Sequence, residues 1–298
     1  MQKNVNVVFS KKFITDFRNF LIDFYKYETF MDFVIVPFLT KKTLMYLPVI
    51  SYSDRKHNEI QDLLELAKDN DYQIRTLNFD YKNFIKNDPV TMRLVLEDKT
   101  IDDILASFST NTRKAIKRGN KQGFKFCSGV KEKEIENFYK LYSNVLHSHG
   151  TPHFGKDFFY ELKNALGDRV LFNCFYDGDE IVASNCVLYD DEFSIVQWLG
   201  VNPKYKNKGA GYLIYMAEIQ NSIERNKRII DFGRSGYETG TYEFKRRFRA
   251  SPIKIDIFQP KIEDLYSKYE LASKIWRKLP KSVVEFIGPK LTKYLKDL

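Results

Sequence analysis

Cysteine is scarce in this chain: only Cys127, Cys174 and Cys186 occur, and none has the spacing of a metal knuckle. They sit in apolar, strand-like surroundings, so buried thiols in a reducing compartment are expected rather than a disulfide framework. Histidine is nearly as rare, with three of four residues falling in His147-Ser-His-Gly-Thr-Pro-His153. That run straddles a helix end and a proline, and no cysteine or carboxylate cluster completes it, so no metal is expected. The N-terminal stretch Met-Gln-Lys-Asn-Val-Asn-Val-Val-Phe9 lacks an apolar core with a cleavage site, and no long uncharged span occurs. The expected location is the cytoplasm, with contact to the inner face of a membrane left open.

What is present is enough apolar material to fold. Of 298 residues, 43% are hydrophobic and 15% aromatic, which argues against disorder and allows one large domain or two ordinary ones. The net charge of +9 and isoelectric point of about 9.1 favour an anionic partner: nucleotide phosphate, nucleic acid or an acidic membrane face. Lysines are spread along the whole chain, however, so a solvated surface accounts for much of the excess. Charge alone selects no partner.

Ser10 is placed to cap a first helix, in which Phe13, Phe17, Phe20 and Phe24 form a stripe of the kind that packs into a core. Strands are predicted over 33–38 and 44–50, a helix over 59–68, and further strands over 72–77 and 92–96. This half carries no catalytic signature. From about residue 99 the character changes. Ser109-Thr-Asn-Thr-Arg-Lys-Ala-Ile-Lys-Arg-Gly119 reads as a capped helix with Arg113 and Lys117 one turn apart. Its cationic face suits a phosphorylated substrate or RNA, or is simply solvated. A strand over 124–128 and helices over 132–147 and 156–166 follow. In the loop between those helices, His149 is the candidate proton acceptor, with a helix C-cap as the alternative. Strands over 170–176, 181–189 and 193–199 come next, joined by turns at Asp177-Gly178 and Asp190-Asp191.

The stretch from Glu192 to Phe248 organises the rest. An apolar strand, Phe193–Leu199, runs into the loop Asn202-Pro-Lys-Tyr-Lys-Asn-Lys-Gly-Ala-Gly211 and then into a helix with Tyr212, Met216, Ile219 and Ile223 on one face. Glycines there leave the backbone bare, and the first amides of the helix have no internal partner, so a pyrophosphate is well received. Lys204, Lys206 and Lys208 add cations; a lysine-rich surface turn is the bland alternative. A second strand, Arg228–Phe232, opens into Gly233-Arg-Ser-Gly-Tyr-Glu-Thr-Gly240 and closes on Thr241-Tyr-Glu-Phe-Lys-Arg-Arg-Phe248.

This order of elements resembles the GNAT acyltransferase fold, and Lys206–Gly211 falls where that fold binds the pyrophosphate of an acyl-CoA. The family motif usually begins with Arg or Gln; here it begins with Lys206. More closely, the chain resembles the Fem-type (FemAB-like) acyltransferases through Ser109–Gly119, His149-Gly-Thr-Pro152, Asp231-Phe-Gly-Arg-Ser235 and Gly240-Thr-Tyr-Glu-Phe-Lys245. Its ending, Ile275-Trp-Arg-Lys-Leu-Pro280 with Ile287-Gly-Pro289, is similar to FemAB-related proteins that accompany PEP-CTERM exopolysaccharide systems. The resemblance implies an α/β (α+β) fold of tandem GNAT-like domains, with mixed, mainly antiparallel sheets flanked by helices. The domains are expected at 1–100 and 101–270, with a helical segment at 271–298.

Fem-type enzymes take an aminoacyl group from tRNA and add it to a peptidoglycan precursor; many relatives use acyl-CoA. The retained loop points to acyl-CoA (acetyl-CoA) as co-substrate, moved to an amine of a cell-envelope or exopolysaccharide precursor, small or lipid-linked. Aminoacyl-tRNA is the alternative donor, and a catalytically silent binding module a third reading. Lys206, Lys208, Gly209, Ala210 and Gly211 would hold the donor. Lys245 matches the family lysine thought to stabilise the charged intermediate, unless it belongs to a basic surface run with Arg246, Arg247 and Arg249. Asp231 would orient Arg234, accept a proton or cap its turn; His149 and Tyr242 complete the catalytic candidates. Arg113, Arg234, Thr151 and Glu243 are candidate substrate contacts, with an ion pair to Asp231 competing for Arg234. Leu271, Ile275, Trp276 and Leu279 share one side of the lysine-rich C-terminal segment. Packing is the preferred reading of that stripe, an anionic membrane the other.

Overall fold

The computed structural model describes residues 9–30, 32–38, 41–45, 50–51, 57–70, 72–258 and 272–294. Two compact units interleave along the chain. An N-terminal unit takes Lys11–Asn78, Ser143–Gly167 and Ile255–Leu298; a central unit takes Met1–Ser10, Phe79–Tyr142 and Asp168–Lys254. These differ from the contiguous spans 1–100, 101–270 and 271–298 expected from sequence. The strand at Pro89–Val95 pairs with the strand at Ile229–Gly236, so a segment expected to end the first domain begins the central unit instead.

In the N-terminal unit, α1 (Lys11–Tyr25) buries Phe13, Phe17 and Phe20 and leaves Phe24 half-buried. Phe20 and Phe24 both meet Phe158 of α6 (Lys156–Leu166) edge-on, at 5.1 and 5.4 Å. The Ser10 hydroxyl, just before this helix, donates to Asp190 at 2.9 Å. Strands β1 (Glu28–Phe30), β2 (Phe33–Phe38) and β3 (Lys41–Met45) form an antiparallel meander. The predicted strand over 44–50 is thus divided, with 46–49 outside the described residues. Helix α2 (His57–Asp69) then leads to β5 (Tyr72–Asn78), which lies parallel to β3 and to β4 (Ile50–Ser51).

The central unit repeats that plan at larger size. It starts with β6 (Pro89–Val95), α3 (Ile101–Ser107), α4 (Thr110–Asn120), β7 (Lys125–Gly129) and α5 (Glu132–His149), within which the unit boundary falls. A meander of β8 (Val170–Asp177), β9 (Glu180–Tyr189) and β10 (Phe193–Val201) follows. Helix α7 (Ala210–Glu224) crosses over to β11 (Ile229–Gly236), parallel to β10. Helix α8 (Gly240–Arg246) then leads to β12 (Ser251–Phe258), whose first residues pair with β6. The strand order is β12-β6-β11-β10-β9-β8-β7. Two successive meander–helix–parallel-strand units, in mixed and mainly antiparallel sheets, give the tandem GNAT-like architecture.

The stripe read on α7 describes only one of its sides. Tyr212, Met216 and Ile223 are half-buried, while Leu213, Ile214, Tyr215 and Ile219 are buried more completely. The helix is enclosed between the sheet and α4, and its Tyr215 ring stacks on Phe248 at 5.2 Å, fixing it against the turn after α8.

Candidate active site

The geometry of the site starts from two irregular strands. Strands β10 and β11 pair only over Phe193–Ile195 and Ile229–Asp231, although each runs several residues further. Strand β10 carries a register shift between Val196 and Trp198; β11 carries one between Asp231 and Arg234 and turns through Gly233 at φ +77°. Such bulges bend a strand and end its ladder. Gly233 still touches β10, since a Cβ there would lie 3.2 Å from the Val196 carbonyl. Beyond this point each strand keeps only its outer neighbour, and the sheet parts.

Asp231 maintains the bend in β11. Its Oδ1 accepts from the Gly233 amide (2.7 Å) and from Thr91 Oγ1 (2.5 Å), and its Oδ2 accepts from Arg93 Nε at 2.9 Å. Both charged side chains are about 4% exposed or less, and the Arg93 guanidinium also lies 4.8 Å from the Phe193 ring. A buried pair of this quality resists rupture, because removing either partner strands the other charge. The carboxylate therefore holds the turn and binds Arg93, while the Arg234 side chain is exposed. The sequence missed Arg93 and Thr91. The available signal was an arginine inside the apolar strand Val90-Thr-Met-Arg-Leu-Val95, which requires a buried carboxylate somewhere.

Lys245 reaches this bend from α8. Its Nζ donates to the carbonyls of Gly233 and Arg234, each at 2.9 Å, and the residue is 4% exposed. Burial lowers its pKa to about 8; the Asp231 charge opposes that fall and Arg234 adds to it. An ammonium has three protons, and two are used by these carbonyls. Helix α8 itself is started by Thr239, whose hydroxyl accepts from the Tyr242 amide. Tyr242 is buried against Tyr237 at 4.8 Å, and burial raises its phenol to about 12. Glu243 is engaged by Arg246 at 2.8 Å on the exposed side of the helix.

The residue before Lys245 connects it to the glycine loop. The Phe244 ring lies 3.3 Å from where a Gly211 Cβ would be and 5.0 Å from the Tyr212 ring. Gly211 can therefore carry no side chain without moving that ring. The start of α7 and Lys245 thus occupy one region of the central unit. Residues Pro203–Lys208 form a tight 3-10 turn that ends at Gly209, with φ +91°. Gly209 packs on α4, where a Cβ would come 2.8 Å from the Ala115 carbonyl and 3.0 Å from Gly119 Cα. Gly119, in turn, makes room for Leu213. Among the described residues, no acceptor is found for the amides of Ala210 and Gly211, the first of α7. Lys206 is exposed and Lys208 lies over the Tyr205 ring at 4.9 Å, while Lys204 pairs with Glu180 at 2.5 Å.

Other predicted site residues lie elsewhere. Arg113 donates to the carbonyls of Ala106 (3.1 Å) and Phe108 (2.6 Å), closing the end of α3. Lys114, Lys117 and Arg118 on the same helix, and Lys121 just after it, are exposed. His149 and Thr151 belong to the N-terminal unit and are exposed there, with the His149 carbonyl accepting from Ser273. A further polar group went unread. Glu218 on α7 is fully buried and accepts from Tyr189 (2.7 Å), Ser222 (2.9 Å) and Asn173 (3.1 Å). Desolvation raises its pKa to about 8.

The family model for an acetyltransferase (GNAT) domain matches residues 106–246, which contain α4, the glycine turn, β11 and all of α8. No curated protein matches the chain. Among solved structures, FemX is 13% identical with a TM-score of 0.56, the match covering 81% of this chain and 86% of that one. L-PGS from Bacillus licheniformis is also 13% identical, with a TM-score of 0.55 and coverage of 83% and 86%. At such identity the likeness is one of fold. The fold is thus shared with FemX and L-PGS, and within it residues 106–246 match an acetyltransferase (GNAT) domain.

Proposed function

We propose that this protein transfers an aminoacyl group from tRNA to an amine of a lipid-linked or other cell-envelope precursor. The observation that carries the reading is Lys245, buried where β10 and β11 part, with two of its ammonium protons given to carbonyls among the described residues and its neighbour Phe244 packed against the start of α7. In the reaction the acceptor nitrogen attacks the ester carbonyl of the donor, its pair forming the new amide bond. The carbonyl oxygen becomes an anion, which collapses and breaks the ester C–O bond, and the departing ribose oxygen takes up the proton that the nitrogen loses. Lys245 offers its third N–H to that oxyanion, in surroundings where charge is poorly screened. Asp231, through Gly233 and Arg93, sets the bend from which Lys245 is held.

Three observations support tRNA as donor. The Fem-type resemblance implies it, the fold is shared with FemX and L-PGS, and α4 and its C-cap present Lys114, Lys117, Arg118 and Lys121 to solvent. Acyl-CoA is the second reading, favoured by the unpaired amides of Ala210 and Gly211. A peptidoglycan-type or exopolysaccharide precursor would supply the acceptor amine.

The test compares donors directly. The purified chain is given labelled aminoacyl-tRNA or labelled acetyl-CoA, with a lipid-linked amine acceptor, and product is counted. Transfer from tRNA alone, together with RNA binding that weakens steeply with salt, supports the proposal. Transfer from acetyl-CoA alone, with saturable CoA binding by calorimetry, replaces it with the second reading. Transfer from neither donor points to a binding module.

A further inference from the structure

The C-terminal helices of the N-terminal unit carry an outward face that the proposed chemistry does not use. Helix α9 (272–276) is followed by α10 (Lys281–Thr292). Val284, Gly288 and Thr292, spaced one turn apart, form the buried face of α10, with Gly288 against the His153 backbone and Thr292 Oγ1 beside the Tyr25 hydroxyl. The opposite face carries Val283, Phe286, Lys290 and Lys293, three or four residues apart, with Val283 and Lys293 half-buried. It should be polar if it met only water. Instead Phe286 is 67% exposed and Tyr294 50% exposed, and Ile275 on α9 is 56% exposed.

Charge marks the same surface. Over 272–294 the chain has Lys274, Arg277, Lys278, Lys281, Lys290 and Lys293, against the single carboxylate Glu285, which faces Lys281 at 3.5 Å. Lys290 Nζ sits 3.7 Å from the Phe286 ring centre, so the cation and the aromatic are presented together. Bulky apolar groups among lysines, on a helix whose other face is anchored, are the pattern of a segment that lies in a bilayer interface. The apolar groups enter the acyl boundary while the lysine heads remain among phosphates.

We propose that the outward face of α9 and α10 docks this protein onto an anionic lipid bilayer. Aliphatic Ile275 and Leu291, both exposed, favour lipid over a nucleic-acid partner, because they bury in acyl chains but cannot stack on bases as aromatics do. This deepens the lipid-linked acceptor in the proposed function, yet it is measured without donor or transfer, so either idea can fail alone.

The full chain is sedimented with vesicles of phosphatidylcholine, and with vesicles that also contain phosphatidylglycerol, at physiological salt. Retention by the anionic vesicles and not by the neutral ones is expected. Replacing Lys290 and Lys293 together by alanine should weaken partitioning about thirty-fold, at roughly fivefold per lysine. Phe286→Ser should also weaken it, and with so exposed a side chain it leaves the fold intact should the alanine pair unfold. Ile85→Ser, equally exposed but in the central unit, should change nothing. Equal retention by both vesicle types, or full retention of both variants, overturns the proposal. So does a double variant that loses RNA binding while keeping vesicles.

Discussion

Lys245→Met removes the ammonium while keeping an unbranched chain of similar reach, and it separates the stabilising from the catalytic part of this residue. The fall from an ordinary 10.5 to about 8 means that the fold disfavours the charged form by about 3 kcal/mol. Against this stand two charge-assisted bonds to the Gly233 and Arg234 carbonyls, each contributing about 1.5–3 kcal/mol. The two effects oppose, so the variant should fold with stability within about 2 kcal/mol of wild type at neutral pH. Their pH dependence differs. Below pH 8 folded and unfolded wild type are both protonated, and the cost of the buried charge is fully present. Between about 8 and 10.5 the unfolded chain keeps the proton that the folded one has released. Wild type should therefore gain up to about 3 kcal/mol relative to the variant across that window. Urea unfolding of both proteins at several pH values measures the gap. If the ammonium serves the oxyanion, the variant should also lose about a hundred- to a thousand-fold in kcat/KM. A stability gap that stays flat from pH 8 to 10.5, or undiminished transfer, refutes the argument.

Glu218→Gln should abolish a second pH dependence. With its carboxyl raised from 4.5 to about 8, folded wild type holds a proton that the unfolded chain has lost, so stability should fall by about 5 kcal/mol as pH rises through that interval. The glutamine variant, its oxygen taking Asn173 and its nitrogen the Tyr189 and Ser222 hydroxyls, should show no such slope in urea unfolding. Gly209→Ala should cost about 2–4 kcal/mol, since the new methyl meets backbone of α4 at 2.8–3.0 Å and the φ of +91° is strained for alanine. Gly178→Ala, at φ +60° with nothing within 4 Å, should cost only about 1 kcal/mol; thermal melting that ranks the two the other way removes the packing argument.

The elements of the central unit were legible because their signals are local. Alternation and turn residues set out β8, β9 and β10, and the glycine turn marked the start of α7. What escaped was anything settled by residues far apart in the chain. Asp231 was visible as a carboxylate in an apolar strand, but its partner Arg93 lies 138 positions away, and without it the bend had no explanation. Arg113 looked like a ligand-binding cation because nothing nearby announced the α3 carbonyls it closes. Glu218 was passed over because its neighbours are polar groups from β8 and β9, which periodicity along one helix does not show. The compact units divide the chain differently from the expected spans for the same reason, as β6 pairs with a strand from the second half of the sequence. Lys245 was found by resemblance; its two carbonyl partners required the coordinates.

The bulges that part β10 from β11 make the opening a property of the main chain, held by Gly233 and Asp231 whether or not a ligand is present. The backbone edge left there offers donors and acceptors at strand spacing to any extended amide laid alongside. Recognition of that kind counts peptide groups and ignores what hangs from them.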